Sequence, residues 1–134
     1  MATLPDLVHS LDFKHGLDFQ REVAAHFGSL VYHPSSKVDG SFFLVSSFRR
    51  YTFHLTEESV GLALQSCLGG SAHGFHVTYQ SQNHYRFSVA NKQVDFLIYQ
   101  IRRFISNSFD VYFHLWCDGT PNWEREKQLW QEEL

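Results

Sequence analysis

The chain has 134 residues and a mass of 15.7 kDa, room for one compact domain and little else. Its 43% hydrophobic and 19% charged residues supply a core and exclude a disordered segment. A net charge of −3 excludes a histone-like positive field, two cysteines exclude a multi-bridge scaffold or a four-cysteine zinc site, and no run approaches the roughly eighteen apolar residues of a membrane span.

The first residues, Met1 to Phe13, carry two aspartates and no basic, apolar leader pattern, so a soluble intracellular protein in a reducing compartment is expected, cytoplasm and nucleus left open. Charge divides the chain in three. Residues 1–46 hold five acids and three bases, 47–118 five acids and six bases, and 119–134 four acids and two bases. These zones are expected to form an N-terminal helix and strand extension packed on the core, the core itself, and a C-terminal amphipathic helix.

In the first zone Phe19, Val23, Phe27 and Leu30 recur at near-helical spacing behind Asp18, a candidate N-cap, with Gly28 placed to end the helix. His33 to Gly40 is dense in turn formers, and Phe42-Phe43-Leu44-Val45 reads as a short strand. Tyr51, Phe53 and Leu55 then alternate with Thr52 and His54, predicting the first core strand. Thr56 caps a helix that opens with Glu57 and Glu58, buries Val60, Leu64 and Cys67 or Leu68, and stops at Gly69-Gly70. Phe75, Val77 and Tyr79 predict a second strand, Ser81-Gln82-Asn83 a hairpin turn, and Tyr85, Phe87 and Val89 a third strand. Asn91 caps a second helix with a stripe of Val94, Leu97, Ile98, Ile101 and Ile105, and Phe109, Val111, Phe113 and Leu115 give a fourth strand.

The order strand, helix, strand, strand, helix, strand is the split βαβ pattern, so an α+β, ferredoxin-like or RRM-like sandwich is expected. Both helices then cover one sheet face, with the first and third strands central. The other face carries Thr52, His54, His76, Thr78, His84, Arg86, Tyr112, His114 and Trp116. Aromatic and cationic groups on such a sheet can stack single-stranded bases and contact phosphates, with Arg49, Arg50, Arg102 and Arg103 as further phosphate contacts. The third strand, however, sends Tyr85 and Phe87 into the core and lacks the usual RNA-binding strand pattern. Packing by residues 1–46 accounts for the same rings equally well.

Chemistry-bearing motifs are absent. The four face histidines lie on different strands and have no metal-ligand spacing, so no metal and no cofactor is expected. Cys67 falls near a helix C-terminus, where the dipole disfavours a thiolate, and reads as core. No HExxH, Walker A, GxGxxG or CxxC occurs, and Gly69-Gly70-Ser71-Ala72 lacks the lysine of a phosphate loop. An enzyme is not expected. In the tail, Trp123, Lys127, Trp130 and Leu134 share one face of a helix starting near Pro121, which alone is marginal in water and needs a surface to pack on.

From Phe42 onward, several segments together resemble the N-terminal region of plant retroelement-related proteins, gag-like or associated with a zinc knuckle. They are Phe42-Phe43-Leu44-Val45, Phe53-His54-Leu55-Thr56-Glu57-Glu58-Ser59-Val60, Ala63-Leu64-Gln65, Gly69-Gly70, Tyr85-Arg86-Phe87-Ser88-Val89 and Phe109 to Trp116. The resemblance implies a noncatalytic module working near nucleic acid and transfers no residue assignment. The knuckle itself is missing here. The leading expectation is a protein-interaction or self-association module using Trp123, Trp130 and Leu134, with a protein partner or homo-oligomer. The second is a weak single-stranded nucleic-acid binder using the sheet face. Neither involves a membrane.

Overall fold

The computed structural model describes residues 4–32, 42–117 and 120–121. Two helices, α1 (Leu4–Ser10) and α2 (Lys14–Phe27), precede the long strand β1 (Phe42–Tyr51). Then come α3 (Glu57–Leu68), a 3-10 turn at His73–Phe75, β2 (Thr78–Ser81), β3 (His84–Val89), α4 (Lys92–Ile101), β4 (Arg103–Ile105), β5 (Phe109–Cys117) and β6 (Thr120–Pro121). The result is a mixed α+β fold around an open antiparallel sheet in the order β2-β3-β1-β5-β4, with β6 paired to the end of β5.

Alternation along the strands divides the sheet into two faces. Leu44, Ser46 and Phe48 of β1, Tyr85, Phe87 and Val89 of β3, and Phe109, Val111 and Phe113 of β5 are buried on the helix side. There the rings pack edge-on or tilted: Phe87 lies 5.9 Å from Phe75 and 6.0 Å from Phe113, both edge-on, and Phe109 lies 6.4 Å from Phe53, edge-on, and 5.9 Å from Phe48, tilted. Ser46, the one polar residue of the inward row of β1, donates its hydroxyl to the Tyr85 carbonyl at 3.1 Å.

The first core strand differs from expectation. It runs over Phe42–Tyr51, through the boundary drawn at residue 46, and not over 51–55. Tyr51, Phe53 and Leu55 do point toward the core, but Phe53 sits in an isolated bridge and the chain then turns into α3. The reason is the cap: Thr56 Oγ1 accepts from Ser59 N at 3.0 Å while Ser59 Oγ accepts from Thr56 N at 2.8 Å, a closed reciprocal box that must sit outside the ladder. The second strand likewise starts at Thr78. Phe75 belongs to the 3-10 turn, and His76 adopts φ +49°, which no strand allows. The turn at Gln82-Asn83 has Asn83 at φ +62°, as its residue type favours.

Asn91 caps α4 by accepting from Val94 N at 3.0 Å. The apolar stripe of this helix ends earlier than its spacing suggests. Val94 and Ile98 are fully buried, Ile101 is exposed, and Ile105 lies beyond the helix on β4. Arg102, at φ +63°, breaks the helix so that three residues can add an edge strand to β5.

The N-terminal helix begins at Lys14, four residues before Asp18, and Asp12 Oδ1 accepts from Lys14 N at 2.9 Å at its entrance. Phe19 and Val23 are buried as expected, whereas Phe27 and Leu30 are exposed because Gly28, at φ +62°, ends the helix. Helix α1 had no counterpart among the expected elements; Leu7 anchors it. Both helices pack against α3, on the helix side of the sheet. Gly16 and Gly69 let α2 and the end of α3 touch backbone to backbone, and Gln20 Oε1 accepts from Gly70 N at 3.0 Å. Helices α1 and α2 therefore lie on the helix side and not on the second sheet face, where Val45, Ser88 and His114 are nonetheless buried.

Candidate ligand-binding face

The second face is built by the outward rows of the same strands. Phe43, Val45, Ser47 and Arg49 come from β1, His84, Arg86 and Ser88 from β3, Asp110, Tyr112, His114 and Trp116 from β5, Thr78 from β2, and Arg103 and Ile105 from β4. Arg86 pairs with Val45, and its guanidinium carbon lies 4.6 Å from the Phe43 ring centre and 5.0 Å from that of Trp116. Trp116 is two strands away, so the side chain crosses β1 over Val45, which has no exposed surface. Tyr112 stands between two more cations: Arg49 lies 5.4 Å from its ring centre and Arg103 5.0 Å. Three guanidinium groups are thus seated on three rings of one sheet face, contacts of ~0.5–1 kcal/mol each where exposed and more where desolvated.

The charges differ in their commitments. Arg103 is held in a two-pronged pair with Asp110, Nε to Oδ1 at 2.9 Å and Nη2 to Oδ2 at 2.7 Å. That hydrogen bonding holds the Asp110 carboxyl below the usual carboxylate range and raises the Arg103 guanidinium. Arg50 points along the sheet edge and donates to the carbonyls of Asn107, at 3.0 Å, and Ser106, so it fixes a loop. A register shift between Phe48 and Arg50 sets Arg50 opposite Asp110, so the two neighbouring arginines do not simply alternate between the faces. Arg49 and Arg86 form no ion pair among the described residues, and the Nε of Arg86 is buried without a hydrogen-bond partner.

Among the residues singled out from the sequence, the fold brings Arg49, Thr78, His84, Arg86, Arg103, Tyr112, His114 and Trp116 onto one face. His114 is almost wholly buried there. His54 and His76 are not on it. His54 lies in the loop after β1 and His76 in the turn before β2, and both line shallow clefts of about 430 and 370 Å³ that share Leu4, Glu57 and Glu58. Thr52 leaves the sheet too, bonding through its amide and hydroxyl to the Ser108 carbonyl. Arg102 is the exposed terminus of α4. Trp123, Trp130 and Leu134 lie outside the described residues.

Phe43 is the site residue that sequence reasoning missed. Treating Phe42 to Val45 as a separate extension hid it, and the run Phe42 to Arg49 has no apolar–polar alternation that would assign Phe43 to a face. Elsewhere, burial pushes the Cys67 thiol up, and its sulfur faces the Leu64 carbonyl at 3.6 Å, the environment of a packing residue. No group of three or more metal-ligating side chains occurs among the described residues, and no described helix is long and apolar enough to cross a membrane. No family model, curated protein or solved structure matches the chain.

Proposed function

We propose that the chain is a noncatalytic, ferredoxin-like or RRM-like module whose second sheet face binds single-stranded nucleic acid. The strand order β2-β3-β1-β5, with α3 and α4 as crossovers on one side, supports the fold assignment. The observation that carries the function is the set of three arginines lying over Phe43, Trp116 and Tyr112 on the face opposite the helices. Guanidinium planes and aromatic rings together are the groups by which proteins hold unpaired nucleotides.

With a net charge of −3, binding depends on this local patch and not on the overall field. The expected affinity is therefore modest and salt-sensitive. Fluorescence anisotropy with a labelled mixed-sequence single strand, at about 50 and about 200 mM salt, tests it. Saturable binding that weakens with salt and is lost in Arg49→Ala/Arg86→Ala supports the reading. An unchanged anisotropy at the lower salt and high protein concentration refutes it.

A further inference from the structure

The rings of this face are already covered. Arg86 lies over Phe43 and Trp116, and Arg49 and Arg103 reach Tyr112 from the strands on either side of it. A base stacking directly on any of these rings must first displace a guanidinium. Arg103 spends its edge on Asp110, whereas Arg49 and Arg86 have no ion-pair partner among the described residues. The Arg86 Nε forms no hydrogen bond but is buried, so the donors that Arg86 offers a ligand are its terminal nitrogens.

We infer that this face grips the phosphodiester backbone of a single strand and not its bases, with Arg49 and Arg86 as the two phosphate contacts. The inference rests on the nucleic-acid reading above and specifies what that site recognises. Ring seating gives each guanidinium a fixed position before ligand arrives, which lowers the ordering cost of a two-pronged bond to phosphate oxygens. The two seats are separated by the run from Phe43 to Ser47, the residue paired with Tyr112, about 13 Å along the strand direction. A short single strand spans that distance with its bases turned away from the sheet. Recognition is then indifferent to sequence.

The two modes predict opposite results with a base-free ligand. Stacking contributes roughly 5- to 150-fold in affinity per base, so an abasic strand of about ten nucleotides would bind far more weakly than oligothymidine of the same length if the rings held bases. Backbone recognition predicts dissociation constants within about threefold of each other, with a log–log salt slope near about −1.4 for two phosphates. Arg86→Ala discriminates further. It uncovers Phe43 and Trp116, so a stacking site keeps or gains affinity for oligothymidine, whereas a phosphate site loses affinity for both strands by the same factor and its salt slope falls toward about −0.7. Arg49→Ala, at an exposed position, is the second variant and is expected to act in the same direction; circular dichroism confirms that each variant is folded. Inorganic polyphosphate separates the sources of the same chemistry: competition with the abasic strand at equal phosphate concentration supports phosphate recognition, and failure to compete at low salt refutes it. Oligothymidine binding with the abasic strand more than about tenfold weaker overturns this inference and leaves the nucleic-acid reading intact, while no binding of either strand overturns both.

Discussion

Gly16→Ala places helix propensity against tertiary contact, and the two predict opposite signs. Alanine in a helix is worth up to about 1 kcal/mol over glycine, so propensity alone predicts stabilisation. A Cβ at position 16, however, would stand 2.2 Å from Gln65 O, 2.7 Å from Gly69 N and 3.0 Å from Ser66 O. All three are backbone atoms of α3 and its cap, so no side chain can swing aside. Relief requires α2 to withdraw from α3 by roughly 1 Å, loosening Phe19 and Val23 in the core and straining the Gln20 to Gly70 hydrogen bond. Overpacking of this kind costs ~1–3 kcal/mol, and the net loss is expected near 2 kcal/mol, a fall of several degrees in Tm for a domain of this size. Urea unfolding followed by circular dichroism measures it. Gly28→Ala is the comparison: its Cβ meets nothing within 4 Å, so only the φ of +62° opposes the change and the loss should be smaller, about 1 kcal/mol. A Gly16→Ala protein as stable as the parent, or more so, would refute the close docking of α2 on α3.

Asp95 provides a pH test. Burial raises its carboxyl from 3.8 to about 7, and Oδ1 has no hydrogen-bond partner among the described residues. Between those values the folded state holds a proton that the unfolded chain has released, so stability falls as pH rises from about 4 to about 7 and is level above. Asp95→Asn is expected to gain on the order of 2 kcal/mol at pH 8, after allowance for solvent screening, with the gain gone near pH 4; a gain independent of pH would contradict this. Ser59→Ala opens the cap box of α3 and also removes the 2.8 Å bond to the His54 carbonyl, so a loss of ~1–2 kcal/mol in denaturant unfolding is expected. Phe87→Ala empties a fully buried site between Phe75 and Phe113 and should cost ~3–5 kcal/mol; a loss below 1 kcal/mol would show that the sheet and helices are not packed through these rings.

Much of the architecture was legible in the residues alone. The caps Thr56 and Asn91, the stop at Gly69, the turn at Gln82-Asn83 and the inward rows of β3 and β5 all follow from local chemistry, because a cap or an alternation acts within a few residues of itself. Inward-pointing residues were readable even where the element was not: Tyr51, Phe53 and Leu55 face the core whether the chain there is strand or loop. Tertiary structure decided the rest. Only pairing with both β3 and β5 makes Phe42–Tyr51 one strand, which puts Phe43 on the candidate face and takes His54 and His76 off it. Only the contact of α1 and α2 with α3 shows which side of the sheet they occupy. Strand order itself follows from the element order and right-handed crossovers, which place the first and third core strands centrally. The seating of Arg86 on Trp116, thirty residues and two strands away, depends instead on register and on the path of one side chain across β1, which no periodicity in the chain encodes.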